Sequence, residues 1–349
     1  MAQIPKQLKN DKLSSYLSGT GLKRVSQGKV RDTWRLDNDS LLVVATDRIS
    51  IFDFVLNALV PKKGETLTAL THFWLTKILY EFSHHLVESG THPGFNDAWD
   101  LREDFLHALP LERCLVIEDM KGKLYPFEMI FRHHIGGSIF KSYQKTGLAG
   151  GQQLPANLPK WSKLEWPIFT PSTKEEVGHD INVDADYFYS EMSKKGLGVE
   201  ARQSVYMLEQ AYAIAYAYAQ TKSILILDTK FEVAGGPKIV DEVLTPDSSR
   251  FVLKEDWEKA MAGGRDPSFM DKQPVRDWGA TVETPFKDEN GQITGINKLN
   301  PANPEHAAFV HNLKIPEEII TDTADRYLTI FRMLTGQSLE DYKKNDMGV

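Results

Sequence analysis

The segment LDTKFEVAGGPKIVDEVLTPDSSR, residues 227–250, places the strongest constraint on the fold, because charged and apolar residues alternate along its first half. Successive side chains of a β-strand point to opposite faces, so Asp228, Lys230 and Glu232 would share one face of a strand. Apolar residues occupy the other face. That much charge on one face does not suit a hydrophobic core, so the pattern predicts a strand with one buried and one solvent-facing or ligand-facing side.

A glycine-rich turn follows this strand and predicts a β-hairpin. If the hairpin folds symmetrically about Gly235-Gly236, paired residue numbers sum to 471, and Lys230 then lies opposite Asp241. Glu232 would be diagonal to Asp241, at about 7–8 Å or less between Cβ atoms. Two converging carboxylates suit Mg²⁺ when phosphate and water supply the other ligands, and Lys230 can also reach a phosphate. A solvated hairpin face with a weak cross-strand ion pair is an equally good interpretation of the spacing alone.

Two loops carry the residue types that bind phosphate. The first, residues 245–250, joins hydroxyl groups to the guanidinium of Arg250, and the second joins Arg132 to Gly136-Gly137-Ser138. Backbone N–H groups, hydroxyls and a bidentate arginine can together hold a phosphate. Each loop taken singly is better explained as an ordinary glycine and serine turn. Together with the acidic face, they suggest two phosphorylated ligands, one of them held through a metal.

Two N-terminal segments are weaker signals. Gly28–Asp32 lies between two predicted short strands and could cover nucleotide phosphates, although it is neither a Walker A loop nor a GxGxxG motif. Asp47–Asp53 follows the predicted strand Leu41–Ala45 directly, where functional groups are common. Its alternative interpretation is a helix N-cap with exposed charges.

Composition narrows the function further. The 349 residues include 41 Lys and Arg against 48 Asp and Glu, for a net charge of −7, which disfavours a general nucleic-acid binder. The one cysteine, Cys114, excludes an intramolecular disulfide framework and a multi-cysteine metal site. We see no secretory signal and no run of about 18 apolar residues, so we expect a cytoplasmic protein. His84-His85 and His133-His134 lack a third ligand, and we interpret them as structural.

Strands and helices alternate in an order that predicts an α/β or α+β fold. The longer predicted elements are a helix over residues 66–88, a strand pair over 114–120 and 125–132 around Lys121-Gly122-Lys123, an irregular stretch over 147–183, helices over 185–196 and 199–223, a strand over 224–227 and a closing helix over 317–335.

The chain resembles the SAICAR synthetase (phosphoribosylaminoimidazole-succinocarboxamide synthase) family over about residues 22–280. Seven segments occur in the family's order: GKVRD, VATDRISIFD, IFRHHIGGS, FTPSTKEEVGHD, LDTKFEV, VDEVLTPDSSRF and DKQPVRDW. The resemblance implies a two-lobed fold, with a β-rich nucleotide-covering lobe at 1–118 and an ATP-grasp or kinase-like α/β lobe at 119–349 that includes a C-terminal extension. It implies an ATP-dependent ligase of de novo purine biosynthesis that joins L-aspartate to carboxyaminoimidazole ribonucleotide (CAIR) through an acyl phosphate and releases SAICAR, ADP and phosphate.

The resemblance also implies roles for individual residues. Catalysis would rest on Lys230, Glu232 and Asp241, with Mg²⁺ held by Glu232 and Asp241. ATP would be bound by Gly28, Lys29, Val30, Arg31, Glu118, Met120, Lys174 and Lys230. The substrates CAIR and aspartate would be bound by Asp47, Ser50, Asp53, Arg132, Ser138, Ser249, Arg250, Lys272 and Arg276. The expected partners are these small molecules alone, with no nucleic acid or membrane, and the protein is expected to be a monomer.

The sequence departs from the family pattern in three places. Ile117 and Glu118 stand where basic residues are expected beside adenine, His133 follows Arg132 where a small or different polar residue is usual, and GHDINV is a shortened acidic run. Two other functions compete with the synthetase. A different carboxylate–amine ligase would not need both arginine loops to bind a ribose phosphate, and a non-catalytic nucleotide-binding module would tolerate loss of Glu232 or Asp241.

Overall fold

The computed structural model describes residues 3–9, 19, 22–36, 39–89, 109–174, 180–288 and 291–349. Its residues form two compact units, the first of residues 1–69, 86–119 and 271–349 and the second of 70–85 and 120–270. The division into lobes at residue 118/119 stays a prediction; it assigns residues 271–349 to the second lobe, whereas their packing places them in the first unit. Across the described ranges, every helix is too short or too polar to cross a membrane.

The first unit contains a five-stranded antiparallel sheet in the order β1 Lys23–Gln27, β2 Arg31–Arg35, β3 Ser40–Ala45, β7 Cys114–Glu118 and β6 Leu86–Ser89. Its apolar face buries Trp34, Leu42, Val44, Cys114 and Val116. Within β3 and β7 these residues are two positions apart, so they point to one face of the sheet, and their burial removes that face from water.

A second layer of the first unit packs helices onto a hairpin. The hairpin pairs β4 Arg48–Ile51 with β5 Phe54–Leu59, and its apolar residues share a core with the C-terminal helices. These helices supply Val275, Val310 and Ala324 to that core. Within the described residues of this unit, the helices are Lys6–Lys9, Lys63–Phe73 as far as Ala69, Gln273–Thr281, Pro304–Asn312, Glu317–Thr335 and Leu339–Tyr342, with shorter turns at Leu111–Arg113, Ile296–Lys298 and Lys343–Met347.

The second unit is built on an antiparallel six-stranded sheet of β8 Phe127–His134, β11 Lys163–Phe169, β12 Ser172–Thr173, β13 Ile224–Ala234, β14 Lys238–Val240 and β15 Ser249–Leu253. β13 is central and pairs with β8, β14 and β15, while β8 also pairs with β11 and β12. A separate pair is formed by β9 Leu148–Ala149 and β10 Gln152–Gln153.

Helices cover this sheet and bury its apolar residues. The long helix Gly198–Thr221 packs on β13, and the Tyr212 hydroxyl donates to the Ile226 carbonyl at 2.7 Å. Phe188 of the preceding helix contacts Phe127 edge-on, with 5.0 Å between ring centroids. The helices of this unit are Ser138–Thr146, Ala185–Lys194, Gly198–Thr221 and Lys254–Gly263.

The predicted helix over residues 66–88 is wrong at its C-terminal end. The α-helix runs from Lys63 to Phe73 and continues as a π-helical turn, Trp74–Ile78. The chain then leaves the helix because residues 83–85 pair with β14: Ile239 donates its N–H to the Ser83 carbonyl, and His85 donates to the Ile239 carbonyl. Residues 86–89 form β6 instead.

The predicted strand pair around Lys121-Gly122-Lys123 is also wrong. Both strands exist, but β7 pairs with β3 and β6, whereas β8 pairs with β11, β12 and β13. Alternation identifies a strand without identifying its partner. The described part of the interval 147–183, which was predicted to be irregular, contains the strands β9 to β12. Pro167 is tolerated in β11 because the ladder is interrupted between Lys163 and Ile168.

Candidate active site

The acidic face of β13 is formed by a hairpin whose register differs by one residue from the prediction. Glu232 pairs with Val240, so paired numbers sum to 472 rather than 471. The connection contains three residues, 235–237, with Gly236 at φ +82°, and the hairpin is therefore centred on Gly236. Asp241 lies just beyond β14 with φ +65°, so it is outside the β13–β14 register and is not the directly opposite cross-strand neighbour of Lys230 that was predicted.

Carboxylates and ammonium groups nevertheless converge here. Lys174 Nζ lies 2.5 Å from one oxygen of Glu232, and Lys230 Nζ lies 3.9 Å from the other. Lys230 also donates to Glu128 Oε1 at 2.7 Å. Sequence reasoning missed Glu128. Glu128 lies four residues before Arg132, so both side chains are on one face of β8. This spacing would have pointed to Glu128 only if the pairing of β8 with β13 had been known.

The electrostatics of this cluster are those of an incompletely neutralised acidic site. Burial raises the pKa of Glu232, and the nearby carboxylate of Asp241 raises it further against the opposing effect of Lys174 and Lys230. Burial alone would lower the pKa of Lys230, but the carboxylates of Glu128, Glu232 and Asp241 outweigh it and raise that pKa. The cluster therefore favours a cation beside Glu232 and Asp241.

A second cluster gathers around Asp228, which was predicted to lie with Lys230 and Glu232 on the acidic face. Its carboxylate accepts hydrogen bonds from two arginines, Arg132 on β8 and Arg250 on β15, the latter at 2.5 Å. In the sheet register Asp228 lies opposite Arg132 on one side and Arg250 on the other, so both guanidinium groups reach its carboxylate. Arg132 is buried and also donates to the Thr170 hydroxyl at 2.9 Å. Two guanidinium groups on one carboxylate leave a net positive charge that suits an anion.

The loop before the helix Ser138–Thr146 lies against this positive charge. A Cβ at Gly137, where φ is +65°, would lie 3.1 Å from Nη1 of Arg250, so only glycine lets the loop approach the guanidinium. A Cβ at Gly136 would lie 2.1 Å from the Trp161 ring. The first N–H groups of the helix follow directly, and a helix N-terminus with an arginine beside it is an anion-binding arrangement.

The two predicted serines of this region have local partners. Ser138 donates its hydroxyl to Asn182 Oδ1 at 3.3 Å, and Ser249, which is buried, shares a 2.7 Å hydrogen bond with the Thr229 hydroxyl. The structure brings Arg132 and Arg250 together at Asp228, and Gly137, which precedes Ser138, lies against Arg250. Ser249 is not part of this cluster, because its hydroxyl bonds Thr229, whose side chain points to the other face of β13 from that of Asp228. The binding of a substrate phosphate by the predicted residues stays a prediction.

In the first unit, Gly28–Arg31 forms the tight turn between β1 and β2. Gly28 donates its N–H to the Arg31 carbonyl at 2.7 Å, and a Cβ at Gly28 would lie 2.8 Å from that oxygen. Arg48, which sequence reasoning missed, supports the turn from beneath. It is fully buried, pairs with Asp32 at 2.5 Å and donates to the carbonyls of Gly28 and Lys29. Its signal was its position in VATDRISIFD, where only its neighbours were assigned.

Other predicted residues of this unit meet in pairs. Lys29 Nζ lies 2.5 Å from Asp53 Oδ1, and Asp53 sits in the tight β4–β5 turn with φ +66°. Asp47 accepts hydrogen bonds from the Gly64 N–H at 2.9 Å and from Arg113 at 2.7 Å. Because Gly64 lies in the first turn of the helix Lys63–Phe73, the helix-capping interpretation of Asp47 describes these contacts well, and its substrate role stays a prediction.

The remaining predicted residues are placed without an observed function. Val30 accepts hydrogen bonds from Thr46 through its carbonyl, Arg31 opens β2, Ser50 is buried in β4 and Glu118 ends β7. Met120 packs with Ala234 and Val240 in the second unit. Lys272 precedes the helix Gln273–Thr281, and Arg276 lies 3.9 Å from Asp271. Residues 175–179 of the FTPSTKEEVGHD segment, and with them part of GHDINV, lie outside the described residues.

Comparisons with known proteins agree with one another. The family model for SAICAR synthetase matches residues 24–293. The chain is 37% identical over 322 residues to the phosphoribosylaminoimidazole-succinocarboxamide synthase of Mannheimia succiniciproducens, covering 90% of this chain and 98% of that one. It is 38% identical over 327 residues to the same-named protein of Haemophilus influenzae, strain PittEE, covering 90% and 97%. A solved SAICAR synthase from Saccharomyces cerevisiae, in complex with SAICAR, is similar in fold, with a TM-score of 0.70, 33% identity and coverage of 91% and 96%.

These findings confirm the family, the mixed α/β fold and the ATP-dependent ligase activity of purine biosynthesis that the seven ordered segments predicted. More than a third of the aligned residues are identical, and each alignment covers nearly the whole of the relative, so the match is not confined to one motif. The chain belongs to the SAICAR synthetase family.

Proposed function

We propose that this chain makes SAICAR by activating the carboxylate of CAIR as an acyl phosphate, with Glu232 and Asp241 on the phosphoryl-transfer side. A carboxylate is a poor electrophile because oxide is a very poor leaving group. In the proposed route, a carboxylate oxygen of CAIR attacks the γ-phosphorus of ATP and ADP leaves. The amine of L-aspartate then attacks the acyl carbon, and phosphate departs with that carboxylate oxygen while the nitrogen loses a proton.

One observation carries the proposal: two carboxylates and two ammonium groups converge at the β13–β14 hairpin. Lys174 and Lys230 each contact Glu232, so they can compensate negative charge on a phosphoryl group brought to the same place. Lys230 lies on β13 and Lys174 follows β12, so the two ammonium groups come from different elements and face the same carboxylate, that of Glu232. Transfer of a phosphoryl group needs this kind of fixed positive charge.

The residues present fit a magnesium ion. Burial and Asp241 both raise the pKa of Glu232, so a divalent cation would relieve the repulsion between the two carboxylates. Among the described residues, groups of three or more His, Cys, Asp or Glu that could hold a metal are absent. Two carboxylates with phosphate and water as further ligands are the usual Mg²⁺ arrangement. When bound, Mg²⁺ would neutralise charge that develops on the transferring phosphoryl group.

We assign the ribose phosphate of CAIR to the second cluster. Arg250 is about a quarter exposed, so its guanidinium can meet a ligand while one nitrogen stays bonded to Asp228. The buried Arg132 adds charge, and the N-terminus of the helix Ser138–Thr146 supplies backbone donors. For ATP we assign the Gly28–Arg31 turn, whose carbonyls are engaged by Arg48.

An isotope experiment tests the route. CAIR labelled with ¹⁸O in its carboxylate is converted with ATP, Mg²⁺ and L-aspartate, and the released phosphate is analysed by mass spectrometry. We expect one labelled oxygen per phosphate, because that oxygen is transferred with the phosphoryl group. Unlabelled phosphate would refute the acyl phosphate. ADP release that does not require aspartate at all would instead favour a nucleotide hydrolase over a ligase.

The metal assignment is tested separately by calorimetry of Mg²⁺-dependent ADP binding. Glu232→Gln keeps the side-chain volume but removes a charge, and should weaken the Mg²⁺ dependence of binding. Glu165→Gln, at an exposed glutamate of the same unit, is the matched control and should behave as the wild type. Equal Mg²⁺ dependence in both variants would place the metal elsewhere.

A further inference from the structure

The C-terminal segment Leu339–Met347 buries a lysine. Lys343 is 8% exposed, and its ammonium lies 2.6 Å from Glu65 Oε2 and 2.8 Å from Glu340 Oε2. The segment is held in place by apolar contacts, since Tyr342 packs edge-on against Phe331 at 5.5 Å between ring centroids and Met347 is buried. Burying an ammonium group costs free energy unless carboxylates are held in place beside it. The buried position of Lys343 therefore depends on Glu65 staying where it is.

Glu65 also takes part in a second ion pair. It is nearly buried in the first turn of the helix Lys63–Phe73, and its other oxygen, Oε1, lies 3.7 Å from Arg113 Nη2. Arg113 in turn donates to Asp47 Oδ2 at 2.7 Å. A chain of alternating charges therefore runs from Lys343 through Glu65 and Arg113 to Asp47, within the first unit.

The backbone leaves Asp47 little freedom to move independently of Glu65. Asp47 Oδ1 accepts from the Gly64 N–H at 2.9 Å, and the Asp47 carbonyl accepts from the Val60 N–H at 2.8 Å. A Cβ at Gly64 would lie 2.8 Å from the Ala45 carbonyl, so the helix start is packed directly against the end of β3. A shift of the first helical turn would move Asp47 with it.

We infer that Lys343 is a positioning residue: through Glu65 and Arg113, the C-terminal segment fixes the carboxylate of Asp47 for substrate binding. The inference rests on the substrate role of Asp47 that the family resemblance predicts. A purely structural function would not need these charges, because replacing a buried ion pair by apolar side chains of similar volume is often neutral or stabilising. The chain of charges ends at Asp47, a carboxylate of the predicted substrate site. Charged side chains can orient that carboxylate, which apolar packing could not do.

The test compares Lys343→Met with Lys344→Met, since Lys344 is the adjacent but exposed lysine of the same turn. Initial rates are measured against CAIR, L-aspartate and ATP in turn. For Lys343→Met we expect kcat/KM to fall about tenfold for the substrate that Asp47 serves, with the KM for ATP unchanged. Lys343→Arg should restore most of the rate because it keeps the charge. Lys344→Met should match the wild type.

A double-mutant cycle with Asp47→Asn separates positioning from general damage. The effect of Lys343→Met should vanish when Asp47 is already replaced. Additive effects, or equal losses for all three substrates, would overturn the inference while leaving the role of Asp47 intact. If Asp47→Asn alone changes no rate, the substrate role of Asp47 and the inference both fail. Should Lys343→Met not fold, Glu65→Gln, which preserves volume, decides by the same criteria.

Discussion

His134 is a buried neutral histidine, and because the folded state keeps it neutral, the free energy of unfolding should fall as the pH falls. It is fully buried at the end of β8, and neither ring nitrogen has a hydrogen-bond partner among the described residues. Trp257 covers the ring edge-on at 5.3 Å between centroids. Burial lowers the pKa of His134 to about 3, with smaller contributions from His133 and Lys163.

The sign and size of the effect follow from this pKa. In the unfolded chain the imidazole regains a pKa of about 6.5, so below that pH the unfolded state binds a proton that the folded state does not. The free energy of unfolding therefore falls as the pH drops from about 6.5 towards 3, by about 1.4 kcal/mol per pH unit. At pH 5, His134 alone should cost about 2 kcal/mol relative to neutral pH.

Urea unfolding at pH 7, 6 and 5 measures the effect, with His134→Leu as the variant. The substitution leaves no hydrogen-bond partner unsatisfied, so it should cost little at pH 7 and should remove one proton's worth of pH dependence. His306→Gln, in the first unit, controls for the loss of a histidine elsewhere. If His134→Leu loses stability between pH 7 and 5 as steeply as the wild type, the reasoning is refuted.

Three further predictions concern the proposed sites. Asp241→Asn should abolish ADP release without lowering the melting temperature, because it removes charge but little volume; measurable turnover would count against a metal ligand here. Arg250→Ala should raise the KM for CAIR by about one to two orders of magnitude and that for ATP much less, in steady-state kinetics; equal rises would contradict separate phosphate sites. Arg48→Met should leave Asp32 buried without its partner and release the Gly28 carbonyl, costing about 3–5 kcal/mol in urea unfolding and raising the KM for ATP. Unchanged stability would show that Arg48 does not hold the turn.

The sequence predicts best where the signal is local. The closing helix Glu317–Thr335 has the predicted bounds, because apolar residues recur at helical spacing and Gly336 ends it in the left-handed conformation. The two helices predicted over 185–196 and 199–223 are observed as Ala185–Lys194 and Gly198–Thr221, with the left-handed Gly196 between them, and the apolar run 224–227 opens β13.

Pairing between distant strands could not be predicted in this way. The partnership of β8 with β13 joins residues about a hundred positions apart, and nothing in either strand specifies the other. For this reason Glu128 was missed although it bonds Lys230, and Asp228 was grouped with the acidic face although two arginines surround it. The one-residue error in the hairpin has a different cause, since Pro237 extends the turn to three residues.

These errors concerned the partners of the charged residues on β13, the central strand, and not the position of those residues on one strand. Asp228, Lys230 and Glu232 lie on the same face of β13 as predicted, but each meets different neighbours, because β15 and β8 pair with the first part of the strand and β14 with its end. At about 3.3 Å per residue, Asp228 and Glu232 stand about 13 Å apart along one rigid strand. A phosphate bound at the arginines and a phosphoryl group transferred at Glu232 would therefore be held at a distance that the sheet, rather than any loop, determines.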